Sequence, residues 1–176
     1  MRLSTVATLL AVGATAALLA APAAAQTKNV TLSGFEEVPV VLTDATGQFR
    51  ARIASDDSSI QYELSYEGFA DVTQAHIHIA QPNVNGAIVL FLCSNLTANP
   101  TPPAGTQACP PPPATITGTL LPGNVVAVAA QDVGAGELSV IIQALRRGLA
   151  YVNVHSATSP GGVIRGQFSG GGHGHD

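Results

Sequence analysis

Charge is scarce in this chain. Of 176 residues, only 7 are Lys or Arg and 11 are Asp or Glu. Beyond the first 25 residues the basic side chains are Lys28, Arg50, Arg52, Arg146, Arg147 and Arg165. They form no patch suited to nucleic acid or to an anionic membrane. A phosphate loop, a nucleophile motif and a paired-acid constellation are also missing, so the sequence leans away from an enzyme. Ser156 directly follows His155, but strand neighbours face opposite ways, and the pair gives no evidence of a catalytic serine.

Long apolar runs are limited to one. Met1 to Ala25 carries a single Arg2, a Leu/Ala/Val run through Leu19 and small residues before Gln26, the pattern of a secretory signal peptide. The run is short for a membrane anchor and no second one follows, so no membrane span is expected once the leader is removed. The expected location is secreted or periplasmic. Removal leaves 151 residues, enough for one domain with a sizeable core, assigned to residues 26–169.

Cysteine is nearly absent as well: Cys93 and Cys109 are the only two. They lack the short spacing of a thiolate metal site. An even count in an exported chain points to a disulfide, here closing a proline-rich loop over 93–109. Closing a loop of that length is worth roughly 3 kcal/mol in the chain-entropy model.

What the chain has in quantity is strand pattern. Asn29–Ser33, Gln48–Ile53 and Ile60–Tyr66 are strand-like, the last two alternating with period two around the turn signal Asp56-Asp57-Ser58-Ser59, which predicts a hairpin with one wet face. Ala87–Leu92 is continuously apolar and predicts a strand buried on both faces. Ala114–Leu120 alternates again, and Ala150–His155 and Val163–Phe168 flank a Pro/Gly turn as a last hairpin. One short helix is expected near 136–147, where Leu138, Ile141, Ile142 and Leu145 make a single apolar stripe before Arg146, Arg147 and a capping Gly148. The predicted fold is all-β: an antiparallel immunoglobulin-like sandwich or a partly closed barrel. Residues 170–176 read as a disordered Gly/His tail.

The chemistry centres on Ala75-His76-Ile77-His78-Ile79. Alternation puts both imidazoles on one face and the apolar residues on the other. A second strand carries Tyr151, Asn153 and His155 on one face. Both His78 and His155 precede a Pro/Gly turn and an apolar return strand, a faint internal repeat. If the two strands are neighbours, His76, His78 and His155 converge into three positions suited to copper or zinc, with a fourth open to water or substrate. The competing reading has the histidines bonding turn backbones and carboxylates. Affinity of such a site is expected to fall as pH drops through about 6.5, because ligating imidazoles are neutral. His173 and His175 form a second, weaker His-x-His pair beside Asp176.

Arg165 lies in an otherwise apolar, glycine-rich strand and needs a carboxylate, carbonyls or a ligand anion. Glu36 is a candidate partner, with Glu37, Glu63 and Asp71 as others. Asn95-Leu96-Thr97 matches the N-glycosylation sequon, a weak three-residue pattern.

Four segments in combination, Leu32-Ser33-Gly34-Phe35-Glu36-Glu37-Val38-Pro39, Ala75-His76-Ile77-His78, Gly148-Leu149-Ala150-Tyr151-Val152-Asn153-Val154-His155 and Gly162-Val163-Ile164-Arg165-Gly166-Gln167, resemble the chordin-type (CHRD) domain. The resemblance spans about 29–168. It implies a secreted or periplasmic all-β domain, found in bacterial proteins and, repeated, in animal chordins that bind secreted growth factors, and it does not imply an enzyme. Ile79-Ala80 stands where a glycine is common, and Val163 where a glutamate often precedes Ile-Arg-Gly-Gln. The leading expectation is an exported binding module with a copper or zinc ion at three histidines. The alternative is a cell-envelope or extracellular protein-interaction domain with structural histidines. A dismutase-like redox enzyme ranks third, for want of a bridging-ligand pattern or a basic steering loop.

Overall fold

A computed structural model describes residues 24–171. Nearly all of the leader assigned to 1–25, and the tail pair His173 and His175, lie outside the described residues.

Eight strands, all paired antiparallel, form one sheet. They are β1 (Gln26–Ser33), β2 (Thr46–Ile53), β3 (Ile60–Glu67), β4 (Val72–Ile79), β5 (Ala87–Ser94), β6 (Ala114–Leu120), β7 (Ala150–Ser156) and β8 (Ile164–Gln167). Their spatial order is β5-β4-β7-β8-β1-β2-β3-β6. Of the two architectures expected, this is the partly closed barrel.

The two halves of the sheet differ as their sequences do. In β2 and β3 burial strictly alternates or nearly so, with Phe49, Ala51, Ile53, Tyr62 and Leu64 inside and Arg50, Arg52 and Glu63 outside. That is the expected hairpin with one wet face. Strands β4, β5 and β7 are instead buried on both faces for most of their length.

The helix, α1 (Leu138–Arg146), buries the predicted stripe Leu138, Ile141, Ile142 and Leu145 in the same apolar cluster as the strands. Gly148 follows in the left-handed conformation, φ 72°, which glycine adopts without a Cβ penalty. A Cβ there would also meet the backbone of Phe168 and Gly170. Arg146 grips Asp57 in the β2–β3 turn with two hydrogen bonds, at 2.7 and 2.6 Å, fastening the helix to that end of the barrel.

Strands β5 and β6 are the two free edges, and the disulfide loop closes the seam between them. Cys93 and Cys109 are bonded, with Cα atoms 5.0 Å apart. The loop returns Gln107 to the gap. Its carbonyl accepts from the Ser94 backbone N–H at 2.9 Å, and its side-chain amide donates to Thr117 O at 3.0 Å and to the Tyr62 hydroxyl at 2.7 Å. The Tyr62 hydroxyl in turn donates to Leu92 O at 2.7 Å. One glutamine and one tyrosine thus replace a strand ladder, which protects edges that would otherwise offer unpaired backbone groups. The sequon residue Asn95 serves the same loop. Its amide donates to Val72 O and Cys109 O and accepts from the Cys109 N–H.

Replacing Cys93 and Cys109 together with serine is expected to cost about 3 kcal/mol of stability, measured by urea denaturation. It should also speed hydrogen exchange at the Ser94 amide above that of the β2–β3 amides. Unchanged stability with a protected Ser94 would show that the loop does not brace the seam.

Candidate metal centre

Strand β4 delivers its imidazoles by plain alternation. Ala75 and Ile77 are fully buried in the core, while His76 and His78 take the opposite face. That face is not solvent-exposed: His76 is 0 % exposed, and His78 and His155 are 6 % exposed each. Strands β4 and β7 are hydrogen-bonded neighbours, pairing Gln74 with His155, His76 with Asn153 and His78 with Tyr151. His155 is therefore diagonal to His76, two positions away on the same face, within reach of long side chains.

The register brings the three histidines together. His76 Nδ1 lies 3.3 Å from His155 Nε2, and one nitrogen from each of the three rings falls within 4.8 Å of the others. Phe91 of β5 stands edge-on to His76, with centroids 4.5 Å apart, and Tyr151 stacks on His78 at 4.6 Å with planes 5° apart.

The hairpin turns fold back over this layer and orient two of the rings. His78 Nδ1 is 3.0 Å from Gly86 O, and His155 Nδ1 is 2.9 Å from Pro160 O. A carbonyl only accepts, so Nδ1 carries the proton in both rings and Nε2 of each neutral ring carries a lone pair. This is the physical content of the faint repeat: each imidazole is bonded to a carbonyl of its own turn. The same bond is the usual way a metal-binding imidazole is held in one tautomer. Nε2 of His76 and of His78 are buried without a hydrogen-bond partner, which is costly unless something else occupies them.

Burial sets the protonation. It pushes His76 down to about 2, helped by the neighbouring His155 and His78. It pushes His78 down to about 4 against the opposing bond to Gly86, and it lowers His155 against the bond to Pro160. His76 and His78 thus stay neutral well into acid, and His155 titrates below its ordinary value. Any fall in metal affinity moves below the pH of about 6.5 expected for ordinary histidines.

Arg165 is buried with its guanidinium 3.5 Å from the centre of the Tyr151 ring. It donates to Asn85 Oδ1, Val84 O and Gln167 Oε1, so carbonyls take most of its donors. Glu36 sits exposed in the 3₁₀ turn Gly34–Glu36, whereas its neighbour Glu37 is buried. Burial raises the Glu37 carboxyl to about 7, opposed by the charge of Arg165 and a backbone bond at Val38. Glu37 packs against Gly162, where a Cβ would collide with its carboxylate. Sequence reasoning does not single out Gln74, whose Oε1 is another buried atom without a partner. Its signal was the period of two that places it on the face of His76.

The CHRD domain model matches residues 28–168 of the chain. Neither the curated proteins nor the solved structures compared with the chain gave a match.

The three imidazoles and Glu37 give opposite pH slopes. Unfolded histidine titrates near 6.5 and the folded rings lower, His76 and His78 at about 2 and about 4, so below 6.5 the unfolded chain binds more protons. Stability present above 6.5 is therefore lost as pH falls, by about 1.4 kcal/mol per pH unit for each histidine until its folded pKa is reached. Glu37, with a raised folded pKa, favours the fold below 4.5 and loses that contribution as pH rises through about 7. Urea midpoints of the metal-free protein should drop steeply between pH 6.5 and 4.5. Glu37→Gln should add about 1–3 kcal/mol at pH 8 and almost nothing at pH 4. A flat profile across that range would contradict neutral burial of the three rings.

Proposed function

We propose that this chain, which belongs to the CHRD domain family, is an exported binding module that holds a copper or zinc ion between β4 and β7 through His76, His78 and His155. The observation that carries this reading is the cluster itself: one nitrogen from each of the three buried rings lies within 4.8 Å of the others, and Nε2 of His78 and of His155 is left unprotonated by a turn bond.

The donor set suits such an ion. Imidazole is a ligand for both copper and zinc. Bonds of about 2.0–2.1 Å to one tetrahedral ion place two ligands roughly 3.3–3.4 Å apart, against 3.3 Å between His76 Nδ1 and His155 Nε2. One nitrogen from each ring, His78 included, lies within 4.8 Å of the others. Arg165 works against a further cation here, since its charge already depresses His78. Glu37, coupled to Arg165, partly offsets it. When bound, the ion supplies a cross-link between two strands that are far apart in sequence.

The second reading is an extracellular interaction domain whose histidines only fasten turns. The Nδ1 bonds to Gly86 and Pro160 favour it. Export itself rests on the leader over 1–25, and the mature protein is expected to begin at Gln26.

Titration of the purified mature protein with Zn(II) and Cu(II) at pH 7 separates the readings. Saturable one-to-one binding is expected, with a stability gain of about 2.7 kcal/mol at a hundredfold excess over Kd. His76→Ala and His155→Ala should each weaken binding by at least about tenfold. Affinity should hold from pH 7 to pH 5.5. Absence of binding, or binding indifferent to those substitutions, would leave the histidines with the structural role alone.

A further inference from the structure

Resting on the three-histidine reading, we infer that the side-chain oxygen of Asn153 is the fourth ligand of the ion. The site is then closed by protein and has no coordination position for a substrate.

Asn153 occupies the middle of the polar layer. It lies on β7 directly opposite His76 of β4 and directly opposite Arg165 of β8, and it is 3 % exposed. Its Oδ1 is 3.0 Å from His155 Nε2. Among the described residues it is the side-chain amide that contacts a ring of the trio while facing a second, His76, across the strand pair.

The contact with His155 is the informative one. Because His155 Nδ1 donates to Pro160 O at 2.9 Å, Nε2 of the neutral ring has no proton to give. A carbonyl oxygen and a ring lone pair then face each other at 3.0 Å with nothing between them, which is repulsive. Two arrangements remove the conflict. In one, the amide turns over and its NH₂ donates to Nε2, and this serves the metal-free protein. In the other, oxygen and nitrogen bind one cation, and this serves the loaded protein. Adjacent ligands on an ion with bonds near 2.1 Å lie about 2.9 Å apart at right angles and about 3.4 Å apart in a tetrahedron. Both 3.0 Å for Asn153–His155 and 3.3 Å for His76–His155 fall within that span.

The consequence separates this site from a reactive one. Structural metal sites are fully ligated by protein, whereas catalytic ones keep an open position for water or substrate. With three imidazoles buried and the amide as fourth ligand, the ion fastens β4 to β7 and stays out of chemistry. This replaces the open fourth position expected from sequence. Gln74 is the rival oxygen, buried and unpartnered opposite His155, but it has no contact with a ring like the 3.0 Å one between Asn153 and His155.

Co(II) is the probe, because its visible bands report ligand number and type, with Zn(II) competition giving affinity. In the full mature chain, Asn153→Ala should weaken binding by at least about tenfold and shift the Co(II) bands as water enters. Asn153→Asp, with a carboxylate oxygen in the same place, should bind at least as tightly as the wild type. Gln74→Ala should stay within twofold. An Asn153→Ala protein that folds and binds Co(II) within twofold, with the wild-type spectrum, overturns the assignment, and so does an Asp variant that folds but binds no better than Ala. If the wild type binds through its histidines and only Asn153 proves silent, the three-histidine reading stands and the fourth ligand falls. If the wild type binds no metal, both fall together.

Discussion

A polar layer buried between a sheet and its own turns is largely cut off from solvent, so each hydrogen bond it fails to make is costly. Strands β4 and β7 impose that constraint by being buried on both faces. The inner face is met conventionally by Ala75, Ile77, Val152 and Val154. The outer face carries histidines, an asparagine, a tyrosine and, from β8, an arginine, and each is answered differently. Arg165 is absorbed by a ring and by carbonyl oxygens of the β4–β5 turn and Gln167. Tyr151 accepts from the Gly86 N–H. His78 and His155 use one nitrogen on the turns, and Nε2 of His76 and of His78 stays buried without a partner.

The same constraint explains why two readings of the histidines are not exclusive. A bond from Nδ1 to a turn carbonyl is a structural role, and it is also what frees Nε2 as a ligand in a fixed orientation. Burial then keeps the rings unprotonated where solvent-exposed histidines would be titrating, so the ligand atoms stay available in acid. The cost falls on Nε2 of His76 and of His78, buried without a partner. The seam between β5 and β6 follows a related logic: Gln107 and Tyr62 satisfy backbone groups that no strand reaches.

Much of this was legible in the chain because it is local. Period-two alternation placed the strands and put His76 beside His78, the apolar stripe placed α1, and the cysteine count implied the disulfide. What depends on distant pairing was not legible. Adjacency of β4 and β7 brings His155 to His76 across 79 positions. Burial of the histidine face depends on turns folding back, which alternation cannot announce. For Arg165 the sequence left open a carboxylate such as Glu36, carbonyls or a ligand anion, and its hydrogen bonds go to carbonyl oxygens of the 84–85 turn and Gln167, with Glu37 acting through its charge. Asn153 could be assigned to the right face, but its nearness to two imidazoles follows from the register alone.

The tautomers of His78 and His155 are the pivot, and nitrogen NMR of the imidazoles in the metal-free protein at pH 7 reads them directly. The account predicts both rings protonated at Nδ1 and bare at Nε2, with the Nε2 resonances moving on addition of Zn(II). Rings protonated at Nε2, or resonances indifferent to the metal, would contradict it.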